Sequence, residues 1–199
     1  MAEKLLRKLV QGTTKGKIIN MKQNCHNLEF RPAQNNDSAQ ISQLYEQARI
    51  FMRQHNNPTQ WQGYPSEEII LQDIAHRQLY LIFSPLNRSV LVGAFVLQFG
   101  EEVNYREING KWHYSLPYAT LHRVASGGIF PGIFKDIVDF SRKRCNEIME
   151  QAYLRIDTHK DNLPMQAALS RSNFQYCGII KVADGSERLA YDLLFPPVS

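Results

Sequence analysis

The segment from Tyr118 to Gly132 constrains the fold more than any other part of the chain. Tyr118 to Ser126 reads as a strand, and Gly127-Gly128-Ile129-Phe130-Pro131-Gly132 breaks it. Ile133, Ile137, Cys145 and Ile148 then recur on or near one face, which predicts a helix from Gly132 to about Glu150. The first N–H groups of a helix lack intrahelical partners, and the macrodipole favours an anion there. A strand that ends in glycines at a helix N-terminus is therefore a phosphate site by its physics, or else only a turn. Gly127 and Gly132 have the spacing of a nucleotide-binding P-loop, but Ile133 and Phe134 stand where that motif needs Lys and Ser/Thr. No G-x-G-x-x-G dinucleotide fingerprint is present either.

The other elements arrange themselves around this junction. Leu28 to Arg31 predicts a first strand. Asp37 or Ser38 can cap a helix carrying Ile41, Leu44, Tyr45, Ala48 and Phe51 at helical spacing. A second helix starts near Ser66, with Glu67 and Glu68 in its first turn. Leu79 to Phe83 and Ser89 to Phe99 read as strands. Asn109-Gly110 predicts a type I′ hairpin joining 103–108 to 111–114. Leu154, Ile156 and Thr158 alternate with Arg155, Asp157 and His159 in a further strand. Asp161 or Asn162 caps the last helix, with Pro164 in its first turn, and two strands joined across Asp184-Gly185 close the chain. The fold class is α/β, an α+β mixed sheet of order β-α-α-β-β-β-α-β-α-β-β. The sheet is mainly antiparallel, with a central parallel pair required by the helical crossovers.

The chain has 199 residues, enough for one domain with a core of its own. Its net charge of +4 is unevenly placed. Residues 1–22 hold six basic side chains against one acidic, which leaves 17 basic and 18 acidic in the remainder. We therefore divide the chain into a basic N-terminal extension, 1–27, and a near-neutral domain, 28–199. The domain shows no basic face of the kind nucleic acid requires, so a nucleic-acid partner is not expected. No apolar run reaches the ~20 residues of a membrane helix and no secretory leader is evident, so neither membrane insertion nor export is expected. The three cysteines, Cys25, Cys145 and Cys177, lack C-x-x-C spacing, which points to reduced thiols in a cytoplasm. Asp157 and His159 share a strand face, but no third ligand has suitable spacing, so no metal is expected.

Several stretches together resemble the GNAT superfamily of acetyl-coenzyme A-dependent N-acetyltransferases, in particular its small bacterial members. They are Leu121-His122-Arg123-Val124-Ala125-Ser126, Gly132-Ile133-Phe134-Lys135, "RIDTHKDNLPMQ" from Arg155, Tyr176-Cys177-Gly178-Ile179-Ile180, Asp184-Gly185, Arg188-Leu189-Ala190-Tyr191 and Trp61-Gln62-Gly63-Tyr64-Pro65. The resemblance implies that acetyl-CoA lies between the strands 118–126 and 154–159. It assigns the cofactor to Val124, Ala125, Ser126, Gly132, Ile133, Phe134 and Asn162, with the Val124 N–H as oxyanion donor. His122 is the candidate base. Trp61, Tyr64, Tyr118, Asp157 and His159 are candidates for binding the acceptor, a small-molecule or peptide amine. A homodimer stays open. Two departures stand out: Phe134 occupies the second glycine position of the family's loop, and Leu169 the place of a tyrosine that protonates the thiolate. They support a second reading, an acyl-CoA-binding or sensing module without turnover.

Overall fold

The computed structural model describes residues 28–87 and 89–197. The basic extension, 1–27, and Cys25 with it lie outside them. In chain order the elements are β1 (Glu29–Pro32), α1 (Ser38–Gln54), α2 (Glu67–Ala75), β2 (Leu79–Phe83), β3 (Leu91–Phe99), β4 (Ile108–Gly110), β5 (Ala119–Ser126), α3 (Ile133–Asn146), β6 (Tyr153–Thr158), α4 (Leu163–Arg171), β7 (Gln175–Lys181) and β8 (Glu187–Leu194). The strands form one eight-stranded sheet in the order β1-β2-β3-β5-β6-β8-β7-β4. Among the described residues only β5 and β6 run parallel; the other pairings are antiparallel. This is the expected mixed sheet with one short extra strand, β4, at its far edge.

Period-two alternation sorts the strand residues onto two faces. Leu79, Leu81 and Phe83 of β2, with Ala94 and Val96 of β3, pack on Ile41, Leu44, Tyr45, Ala48 and Met52 of α1 and on Ile70 and Ile74 of α2. Tyr80 and Ile82 point the other way, with Phe95, Leu121, Leu154 and Ile156, onto Ile133, Phe134, Ile137 and Val138 of α3 and Leu169 of α4. Helices thus cover both faces, which is why β2 is a continuous apolar run. Met52, not the expected Phe51, completes the buried stripe of α1; Phe51 is exposed and stacks on His55. Asp37 precedes α1 without capping it. Its carboxylate accepts from Arg31, the Gln34 N–H and Gln40, which fixes the passage from β1 into the helix.

The Asn109-Gly110 hairpin does not form. Val103–Tyr105 is a single 3-10 turn, and Ile108–Gly110 runs as a strand against β7, pairing Gly110 with Gly178. Both glycines have φ +142°, a conformation that side chains disfavour. A Cβ on Gly178 would collide with Asn109 O and lie 2.8 Å from Gly110 Cα. Close approach of two backbones, not a reversal, is what this glycine serves. Gly178→Ala is expected to cost about 1–3 kcal/mol through overpacking. For a chain of this size that lowers the melting temperature by roughly 3–10 °C, which a thermal melt would show.

Candidate functional site

The site begins where the parallel pair parts. β5 and β6 are in register only at Ala119–Leu154, Thr120–Arg155 and Leu121–Ile156. On its other side, β5 pairs Ala125 with Ala94 and His122 with Val96, so Arg123 and Val124 together oppose Phe95. This is a β-bulge, which bends a strand and sharpens its twist. Arg123 takes φ +50° there, a region uncommon outside glycine, and donates to Asp73 Oδ1 at 3.2 Å. Beyond Leu121 the strands diverge around a cavity of about 1250 Å³ lined by His122–Ser126 on one wall and Ile156–Thr158 on the other.

One end of the cavity is the start of α3. Gly132 occupies its N-cap position with φ +82°, and a Cβ there would meet nothing within 4 Å. The helix N-terminus therefore faces open space, with Lys135 on the cavity wall. The Phe134 ring packs against Phe174 in the core, 6.1 Å between centroids, so this residue does not close the loop. Leu169 is wholly buried, and α4 meets the cavity through Pro164, Met165, Ala168 and Arg171. Asn162 caps α4: its Oδ1 accepts from Met165 N, and its Nδ2 donates to Gln60 Oε1 at 3.0 Å. Asp161, the alternative cap, has no such role. The Asn162–Gln60 bond ties the loop bearing Trp61 and Tyr64 to the start of α4. The same loop is fixed from α1, where Arg49 donates to Tyr64 O at 2.9 Å.

The other end gathers His122, Asn104, Trp61, Tyr64 and Asp157. His122 Nε2 lies 3.2 Å from Glu102 Oε2. The other Glu102 oxygen accepts from the Asn104 N–H and side-chain amide, at 3.1 and 2.7 Å. Asp157 Oδ1 accepts from the buried Tyr105 hydroxyl at 2.8 Å. Burial and the neighbouring Asp157 carboxylate hold that phenol well above its usual value, so it stays a donor.

Two expected acceptor residues fall outside the cavity. His159 turns back on its own loop, its Nδ1 accepting from the Asp161 N–H at 3.2 Å, and burial lowers its pKa. Tyr118 packs over the Arg155 guanidinium, and its hydroxyl accepts from the Glu102 N–H at 2.9 Å, so it positions the partner of His122. Burial pushes the thiols of Cys145 and Cys177 up to about 12, so neither is a nucleophile near neutrality. Glu102 is the residue that sequence reasoning missed. It sits in a loop 20 positions before His122, and only the antiparallel return of β5 along β3 joins them.

The hydrogen bond from His122 first, then the Asn104 donors, lower the Glu102 pKa from 4.5 to about 2 against the opposing effect of burial. A depressed carboxyl stabilises the fold above its unfolded value and loses that contribution as pH falls through the folded value. Between about pH 4.5 and 2 the parent should therefore lose about 1–3 kcal/mol more than Glu102→Gln. Urea midpoints at pH 5 and pH 2.5 check this, and equal losses in the two proteins would contradict it.

No family model and no curated protein matches the sequence; the likeness is to solved structures. A GNAT-family acetyltransferase from Streptococcus agalactiae is 30% identical, with a TM-score of 0.73 over 86% of this chain and 97% of its own. One from Listeria monocytogenes is 20% identical, with a TM-score of 0.63 over 84% of this chain and 95% of its own. A GNAT superfamily phosphinothricin acetyltransferase from Sinorhizobium meliloti, solved in complex with AcCoA, is 12% identical, with a TM-score of 0.58 over 86% and 93%. The last two show the fold alone. The first, 30% identical over nearly its whole length, joins the parted β5–β6 pair and the glycine-capped α3 to a family: the chain belongs to the GNAT family of acetyltransferases.

Proposed function

We propose that the protein transfers an acetyl group from acetyl-CoA to an amine of a small molecule or peptide, by direct attack. The observation that carries this reading is the parting of β5 from β6 in front of a helix N-terminus whose cap is a glycine in the left-handed region. The S. meliloti relative holds AcCoA in the same fold, which supports the choice of donor. Gly132, Ile133 and Phe134 would receive the pyrophosphate through backbone N–H groups. Val124, Ala125 and Ser126 would bond the pantetheine arm along the edge of β5 that β6 leaves free, and Asn162 would contact the same arm from the start of α4. The Val124 N–H would polarise the thioester carbonyl and hold the oxyanion.

The acceptor would lie among Trp61, Tyr64 and Asp157, where a carboxylate favours an ammonium group. In the tautomer that gives its Nε2–H to Glu102, His122 carries its lone pair on Nδ1. That atom would take the amine's proton, directly or through water. The neutral nitrogen then attacks the thioester carbon, the C–S bond breaks, the adduct nitrogen loses its surplus proton to solvent, and water protonates the thiolate, since Leu169 is sealed in the core. The core position of Phe134 weakens the case for a module that only binds acyl-CoA. In this reading the catalytic domain is 28–199, residues 1–20 of the extension are dispensable for it, and the protein works in the cytoplasm, beside the acetyl-CoA pool. Among the described residues no helix is long and apolar enough to cross a membrane.

Gly132→Asp tests the donor site. Acetyl-CoA at 100 times its dissociation constant should stabilise the parent by about 2.7 kcal/mol. That raises the melting temperature by roughly 5–10 °C. The variant should show almost no rise, whereas Gly132→Asn, which carries similar backbone strain without the charge, should keep most of it. A full rise in Gly132→Asp would move the phosphates elsewhere. His122→Gln separates transfer from binding: turnover should fall about 100-fold or more, with acetyl-CoA affinity nearly unchanged. Unchanged turnover across pH 6–9, with the chemical step limiting, would remove His122 from the mechanism.

A further inference from the structure

Away from the cavity, three side chains of different chemistry converge under the β4 edge. His113, Cys177 and Asp192 place one ligand atom each within 4.8 Å of one another. Asp192 on β8 is fully buried, Cys177 on β7 nearly so, and the His113 ring is 38% exposed. His113 Nδ1 lies 2.9 Å from Asp192 Oδ1 and 3.4 Å from Cys177 Sγ.

Backbone contacts build this arrangement. Between Tyr176–Tyr191 and Gly178–Ala190 the β7/β8 ladder advances two residues on β7 and one on β8, so Cys177 is the extra residue of a bulge. Such bulges re-aim a side chain and often lie beside sites. The Cys177 carbonyl accepts from the Lys111 N–H at 2.8 Å, and Asp192 Oδ2 accepts from the His113 N–H at 2.9 Å. The segment that carries the histidine is thus held over both other residues. Oδ2 also accepts from the Tyr153 hydroxyl at 2.7 Å, which leaves Oδ1 as the atom turned to the histidine.

Nδ1 carries either one proton or one lone pair, so with its proton toward Asp192 Oδ1 it offers the Cys177 thiol no acceptor, and the thiol is left with Gln175 O at 3.5 Å. That geometry also rules out a nucleophile relay, in which the thiol and the carboxylate must sit on different ring nitrogens. A cation would satisfy all three atoms together. In a tetrahedral zinc site with bonds of about 2.0–2.3 Å, neighbouring ligand atoms are roughly 3.3–3.7 Å apart. The Sγ–Nδ1 separation already matches, Nδ1–Oδ1 needs to open by a few tenths of an ångström, and Sγ and Oδ1, within 4.8 Å of one another, are brought to the same range by the ion.

We propose that His113, Cys177 and Asp192 bind one thiophilic divalent cation, Zn²⁺ by ligand type, through Nδ1, Sγ and Oδ1. Water fills the fourth position on the exposed side of His113. On binding, the thiol proton leaves to solvent and Sγ⁻ donates to the metal. The Nδ1 proton that faces Asp192 Oδ1 leaves to solvent while Nε2 takes or keeps one, which frees the Nδ1 lone pair, and Tyr153 holds Asp192 in orientation through Oδ2. The ion pins the segment after β4 to β7 and β8. Such an ion runs against the expectation of no metal; ligands at positions 113, 177 and 192 form no spacing motif.

Cobalt reports the site directly. The full chain, freed of metal by chelation and titrated with Co²⁺, should bind one equivalent. It should show a near-ultraviolet thiolate-to-cobalt band and visible bands of tetrahedral intensity, both erased by Zn²⁺. Zn²⁺ should also raise the melting temperature by several degrees. Cys177→Ser, which retains Cys25 and Cys145, should lose the thiolate band, and His113→Gln, a change at a partly exposed ring, should weaken binding at least 10-fold. Circular dichroism checks that both variants fold, with Cys177→Ala as the substitute if the serine variant does not. Absence of the band in the parent, its persistence in the Cys177 variants, or parent-like affinity in His113→Gln would overturn the proposal. Each outcome is independent of acetyl transfer.

Discussion

The site depends on one irregularity, the bulge that sets Arg123 and Val124 of β5 against Phe95 alone. A regular β5 would stay paired with β6 along its length, and the two strands would leave no room between them. The bulge breaks the register just after Leu121, where the parallel ladder ends. It is held from outside the sheet. Arg123 donates to the buried Asp73 of α2, and its guanidinium lies over the Tyr64 ring. The helix that covers one face therefore stabilises a strained residue whose consequence is a cleft at the sheet's centre.

The surrounding core makes that cleft rigid. β2 and β3 are buried on both faces, and α1 and α2 grip one side while α3 and α4 grip the other. Phe134 contributes here. Its ring anchors the first turn of α3 against Phe174, so the N–H groups ahead of it keep their direction. Asn162 acts similarly across the cavity, capping α4 and tethering the Trp61 loop through Gln60. Groups held in place before a ligand arrives cost nothing to reorganise when charge develops.

Much of this was legible in the sequence because it is encoded locally. The stripe of α1 as far as Ala48, the helix start near Ser66, the glycine before α3 and the alternation of β6 each follow from residues within one or two turns of one another. What escaped is encoded at long range. Gly110 looked like a turn residue, but its conformation answers to Gly178, 68 positions later. Tyr118 and His159 were candidates for the acceptor pocket, yet one is captured by Arg155 and Glu102 and the other by its own loop. Glu102 carries no local signal, since its low pKa arises from His122 and Asn104 after the fold has assembled.

The mispredicted segment turns out to connect the two polar clusters of the molecule. Instead of closing a hairpin, residues 103–113 run from the 3-10 turn through β4 and across the edge of β7. Tyr105 near its start donates to Asp157 in the cavity, and Trp112 Nε1 near its end donates to Tyr105 O at 3.1 Å. His113 comes next, bound to Asp192 through both backbone and ring. Arg155 lies between the clusters, its guanidinium over Trp112 and Tyr118, its Nε donating to the Tyr153 hydroxyl that orients Asp192. Tyr118 in turn holds Glu102, the partner of His122. His113 is thus linked by contacts to Asp157 through Trp112 and Tyr105, and to Glu102 through Arg155 and Tyr118. The links are hydrogen bonds and ring contacts in a packed region, which leaves the two clusters few independent arrangements.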